Sequence, residues 1–128
     1  MTGMIAQFAA VGVGAVCGAW MRWGLSAWLN PLNPSWPLGT LAANLVGGYG
    51  IGIAVAFFAA HPGLSPEWRL FAITGLLGGL TTFSTFSAEV TQLLLRGDWF
   101  AGAGLAAMHL AGSLLLTIAG IATFRALA

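Results

Sequence analysis

Apolar residues run along this chain in four long stretches, about residues 4–29, 38–60, 68–95 and 99–127, each with few polar interruptions. A helix needs roughly 20 apolar residues to cross the hydrocarbon of a bilayer, so the pattern predicts four membrane-spanning helices in a single unit, residues 1–128. The breaks are short and chemically clear. Asn30-Pro31-Leu32-Asn33-Pro34-Ser35-Trp36-Pro37 and His61-Pro62-Gly63-Leu64-Ser65-Pro66-Glu67 read as proline-rich turns, and Arg96-Gly97-Asp98 as the last turn. All five prolines fall in the first two loops, so no span should kink at proline. Trp23, Trp28, Trp36, Trp68 and Trp99 lie near span ends, where indole rings anchor at the membrane interface; Trp20 sits deeper. The first stretch lacks a basic flank and is longer than a cleavable signal, so it is expected to stay in the bilayer. The expected fold class is an all-α membrane protein.

Composition sharpens this picture by exclusion. Of the 128 residues, 59% are apolar and 5% charged, against about a quarter charged in a soluble domain. Seven charges cannot coat a surface in water, and the mean hydropathy of +0.91 agrees. A soluble enzyme, a nucleic-acid binder and a disulfide scaffold are excluded: the net charge is only +1 and Cys17 stands alone. Four arginines remain to set orientation. Arg22 and Arg96 fall near one side of the membrane, Arg69 and Arg125 near the other. Basic excess normally decides which way a chain inserts. A two-against-two count leaves both orientations open, and two opposed copies can pair about an axis in the membrane plane.

Small residues mark close helix contacts, Gly14 with Gly18 in the first span and Gly48 with Gly52 in the second. Four spans enclose little interior, so a transport path is more easily built between subunits, and an oligomer is expected. The strongest local signal lies in the third span, which reads Gly78-Gly79-Leu80-Thr81-Thr82-Phe83-Ser84-Thr85-Phe86-Ser87 near its centre. Two glycines cost a helix about 2 kcal/mol relative to alanines, and hydroxyls offer replacement partners to an unwound backbone. A third helix broken at the midplane is predicted, the device by which transporters build ion sites.

Depth along the helices gathers the other polar groups. At about 1.5 Å per residue, Arg22, Asn44 and Glu89 should share one level, about 10 Å below the surface. An unpaired charge at that depth is costly, so Arg22 and Glu89 should face each other, water or a pathway. His109, Ser113 and Thr117 form an i, i+4, i+8 stripe on the fourth span, and Thr40, Asn44, Gly48 and Gly52 a matching face on the second. Ser113 and Thr117 as hydroxyls bonded back to their own helix remains open. No carboxylate pair, phosphate loop or metal-ligand cluster supports catalysis. A narrow path of amides, hydroxyls and the rings of Phe83 and Phe86 suits a small anion, because a phenyl edge is weakly positive and conduction needs weak binding. Thr40 and Ser87 join the candidate pore hydroxyls.

Gly78-Gly79-Leu80-Thr81-Thr82-Phe83-Ser84-Thr85-Phe86-Ser87-Ala88-Glu89-Val90 resembles the corresponding stretch of the small fluoride channels called Fluc or CrcB. The resemblance extends to Gly18-Ala19-Trp20-Met21-Arg22-Trp23 and Gly39-Thr40-Leu41-Ala42-Ala43-Asn44-Leu45-Val46-Gly47-Gly48, and so to nearly the whole chain. It implies an antiparallel dual-topology homodimer in the bacterial inner membrane, with two pores through which fluoride leaves passively. By that likeness Phe83 and Phe86 line the pores, Asn44 is the pore amide, Arg22 lies near an aqueous vestibule, and Ser113 and Thr117 belong to a polar track. Gly78 and Thr81 would supply backbone carbonyls to a buried structural sodium ion. The chain departs from the pattern at Leu105 and His109, where hydroxyls are expected. Two other classes remain. A proton-coupled exporter would have to rely on Glu89, the one carboxylate within a span, and an assembly subunit would have no use for the hydroxyl run.

Overall fold

The computed structural model describes residues 1–128, and it is helical throughout apart from short turns. Helix α1 spans Thr2–Leu29 and runs into one tight 3-10 turn, Asn30–Leu32. Helix α2 spans Leu38–Ala60 and α6 spans Trp99–Leu127, the bounds that the hydrophobic pattern predicts. The third span is assembled from pieces: α3 at Pro66–Arg69, a π-helical stretch at Leu70–Leu77, α4 at Gly78–Leu80 and α5 at Phe83–Leu95. Four helical stretches, Thr2–Leu32, Leu38–Ala60, Pro66–Leu95 and Trp99–Leu127, are long and apolar enough to cross a membrane.

Polar side chains close the turns where the backbone runs out of partners. Asn30 Oδ1 accepts from the Gly39 N–H at 2.7 Å and so caps α2 from across the first loop. Asn33 Oδ1 accepts from the Ser35 and Trp36 N–H groups, and the Trp36 indole donates to the Ala101 carbonyl at 3.1 Å, tying that loop to α6. At the last turn the Gly97 N–H bonds to Leu94 O and the Asp98 N–H to Leu93 O. That is a Schellman closure, and it needs the left-handed φ of +83° that Gly97 adopts.

Packing divides the third span between two neighbours. Its first half lies against α1, its second half against α6, and α2 packs along α6. With no hydrophobic drive between helices in lipid, backbones must approach closely to gain dispersion energy, and the glycines permit it. A Cβ at Gly14 would stand 2.8 Å from Leu76 N, and one at Gly18 2.7 Å from Leu80 N. Gly48 and Gly52 do the same on the other side: a Cβ at Gly48 would sit 3.0 Å from Ser113 O, and one at Gly52 would run into the Thr117 carbonyl. Both pairs of small residues predicted to mark contacts are contact positions, each with its own partner helix.

Candidate functional site

The site begins where the third span changes neighbours. Helix α4 ends at Leu80; Thr81 (φ −88°, ψ 156°) and Thr82 (φ −152°, ψ 121°) are extended, and α5 starts at Phe83. Gly78 and Gly79 themselves stay helical. Two extended residues leave several backbone groups without helical partners, and each loss has a traceable consequence. The Thr82 N–H, which a continuous helix would give to Gly78 O, bonds to Asn44 Oδ1 at 2.8 Å. The Thr85 N–H, which would serve Thr81 O, bonds to Thr82 Oγ1 at 3.2 Å, so Thr82 is the N-cap of α5. Gly79 O accepts from Arg22 Nε at 3.1 Å. The carbonyls of Gly78 and Thr81 have thus lost their helical donors, and carbonyl oxygens of that kind suit a hard cation such as sodium.

Asn44 is the hub of this region. Its Oδ1 holds the Thr82 N–H, and its Nδ2 donates both to Thr82 O at 3.0 Å and to His109 Nδ1 at 2.9 Å. Helices α2, α5 and α6 are thereby tied together at one point. Beside it lies a cavity of about 380 Å³, lined by Asn44, Gly78, Thr81, Phe83, Phe86, His109, Ser113 and Thr117 among others. Phe83 and Phe86 meet edge to face, with centroids 5.4 Å apart. Phe83 is 75% exposed, so its ring lies on the open side of the cavity, while His109, its ring tilted against that of Phe86 with centroids 4.5 Å apart, is only 3% exposed.

The remaining polar residues divide into engaged and free. The Thr117 hydroxyl points back to Ser113 O and Gly48 O, both at 2.9 Å, which resolves that hydroxyl as bonded to helix carbonyls. Ser113 lines the cavity without such a bond. Thr40, almost fully buried, donates to Glu89 Oε1 at 2.5 Å, and Glu89 Oε2 has no partner. Ser87 is exposed on α5.

The single level expected for Arg22, Asn44 and Glu89 is corrected by these bonds. Arg22 stands opposite Gly79, Asn44 opposite Thr82, and Glu89 opposite Thr40, one turn of α2 away from Asn44. Counting inward from the loops assumes that all helices end at one height. Here α1 has 28 residues, followed by a 3-10 turn, and α2 has 23. Arg22 and Glu89 consequently serve different partners. The capping role of Thr82 was legible in principle, since Thr just ahead of a helical run is a favoured N-cap residue.

The fold and the site define an all-helical protein with four helical stretches long and apolar enough to cross a membrane and a polar, aromatic-edged cavity where the third is interrupted. The family described as "CrcB-like protein, Camphor Resistance (CrcB)" matches residues 9–121, and the chain belongs to that family. Relatives named "Fluoride-specific ion channel FluC" are similar over most of their length. The protein of Thiobacillus denitrificans is 66% identical over 110 residues, which are 86% of this chain and 89% of the relative. That of Cupriavidus taiwanensis is 63% identical over 94% of this chain and 96% of its own. That of Ralstonia pickettii is 61% identical over 98% of both. These relatives are named as ion channels, not as enzymes.

Proposed function

We propose that this chain forms a fluoride-selective channel that lets fluoride leave the cell passively through the bacterial inner membrane. The observation that carries the reading is the cavity at the break of the third span, whose lining Asn44, Ser113 and Thr117 share with Phe83 and Phe86. Amide and hydroxyl groups with weakly positive ring edges hold a small anion without trapping it. The names of the relatives supply the identity of the anion. Thr40, whose hydroxyl is given to Glu89, and Ser87, exposed on α5, stand outside this lining, and Arg22 in this reading lies beside an aqueous vestibule.

The working unit is an antiparallel, dual-topology homodimer with two pores and the third helix broken at the midplane. The even split of the four arginines and the 75% exposure of Phe83 in the single chain support it. A second copy would cover that ring and complete the cavity wall. A structural sodium ion held by the Gly78 and Thr81 carbonyls fits the same arrangement, because both have lost their helical donors. Bound there, the ion would neutralise the dipoles of these carbonyls.

The test is fluoride efflux from liposomes containing the purified protein, in sodium, with chloride as the control anion. Efflux selective for fluoride is expected, and the Phe83→Ile, Phe86→Ile double variant should abolish it. Equal efflux of both anions, or none, would overturn the reading. Glu89→Gln, which removes the one carboxylate within a span, should modulate this flux; complete loss would favour proton-coupled export.

A further inference from the structure

Not every glycine on α1 serves the packing of the chain. Gly14 and Gly18 let the third span approach, but a Cβ at Gly12 would meet nothing within 4 Å. A glycine inside a helix costs about 1 kcal/mol relative to alanine, and no contact within the chain offsets it here. Gly12 instead lines a second cavity, of about 340 Å³, together with Met4, Gln7, Phe8, Val11 and Leu70. This groove lies between the start of α1 and the start of the third span, which pack together at that end. Phe8 is 81% exposed and Met4 73%, so the groove opens to the side of the helices.

The chemistry of the groove is tiered along the helices. Arg69, the residue before Leu70, and Glu67 stand at its outer end, in α3. Side chains two positions apart on a helix do not face each other, so guanidinium and carboxylate are left for outside partners. Gln7 brings one amide into the lining about 8 Å in from the start of α1. Val11 and Gly12 continue inward as an apolar floor. A cation beside an anion, a donor below them and an apolar trough beneath match a phospholipid from headgroup to ester to acyl chain. Resting on the membrane placement above, we propose that this groove binds one phosphatidylethanolamine per chain. Its phosphate meets Arg69, its ammonium Glu67 and an ester carbonyl the Gln7 amide, and one acyl chain lies along Gly12. Arginine pairs closely with phosphate, and basic positions between spans collect lipid headgroups. The primary ammonium donates hydrogen bonds to a carboxylate; the methylated ammonium of phosphatidylcholine has no N–H, and phosphatidylglycerol has no cation.

The experiment is native mass spectrometry of the purified protein with phosphatidylethanolamine, phosphatidylcholine or phosphatidylglycerol, beside thermal unfolding in the same mixtures. Expected is one retained phosphatidylethanolamine per chain, with an unfolding temperature several degrees above that in either other lipid. Gly12→Leu fills the groove where the chain itself has no atoms, and should abolish both effects. Arg69→Gln should weaken retention about tenfold, as loss of a hydrogen bond to a charged group does. Glu67→Gln should keep the phosphate contact and erase the preference over phosphatidylcholine. Equal retention of the three lipids would make the groove ordinary lipid-facing surface and overturn the proposal. Retention that survives Gly12→Leu, or a preference that survives Glu67→Gln, would overturn it too. An assembly that falls to single chains in Gly12→Leu would seat a second copy in the groove in place of the lipid.

Discussion

Within five residues the third span shows two opposite behaviours. Gly78 and Gly79, the weakest helix formers in the region, remain helical, while Thr81 and Thr82 unwind. Their surroundings explain the difference. A Cβ at Gly79 would lie 3.1 Å from Ala19 N and closer still to the Ala15 carbonyl, so α1 presses on this turn and holds it wound. The threonines face α2 and α6, where Asn44 accepts the Thr82 N–H and donates to the Thr82 carbonyl. In a membrane a helix opens where the freed groups find new partners, and intrinsic flexibility alone does not open it. The glycines and the hydroxyl run, both expected to favour an opening here, divide the labour: the glycines seat the first half on α1, and the threonines turn the chain towards α6.

Breaking the polar side of this contrast should have the largest effect. Asn44→Ala removes three hydrogen bonds, leaves the Thr82 N–H unmet and frees the His109 ring, at a cost of about 2 kcal/mol or more. Thermal unfolding in detergent should fall by several degrees, and fluoride efflux should fall with it; an unchanged melting temperature would show that the break does not depend on the amide. On the glycine side, Gly79→Ala forces α1 away from α4 and should cost about 1–3 kcal/mol. Gly78→Ala meets only Ile73 O, at 3.4 Å, and should leave the unfolding temperature almost unchanged. Equal loss in the two alanine variants would remove the packing explanation. The smallest expected effect is that of Thr82→Val, which deletes the cap of α5 for about 1 kcal/mol. Its mark should be faster amide hydrogen exchange at Thr85 without loss of the overall fold.

Much of the candidate site was legible one residue at a time and illegible in pairs. Asn44, Phe83, Phe86 and Ser113 stand out in the sequence because polar and aromatic residues deep in a span need a reason, and all four line one cavity. The partners do not stand out. Charge and depth left three places open for Arg22 and Glu89, each other, water or a pathway, and packing gives Arg22 the Gly79 carbonyl and Glu89 the Thr40 hydroxyl. A charge buried in helices can be met by any dipole that packing brings near, and sequence spacing records only the order along one helix. The π-helical stretch Leu70–Leu77 left no signal in the apolar pattern, since leucine and isoleucine accept several helical windings.

By itself the sequence determined the number of long apolar helices, the turns between them and the glycine faces. Each of these follows from hydrophobic length, from proline placement or from the size of a side chain, which are properties of residues and their near neighbours. Tertiary structure alone decided that the helix opens at Thr81 and Thr82, that Asn44 joins α2, α5 and α6, and that His109 Nε2 is buried without a partner. The physical reason is hydrogen-bond competition in a medium without water. Every freed donor must find an acceptor on another helix, and which helix stands there is settled only when all four have packed.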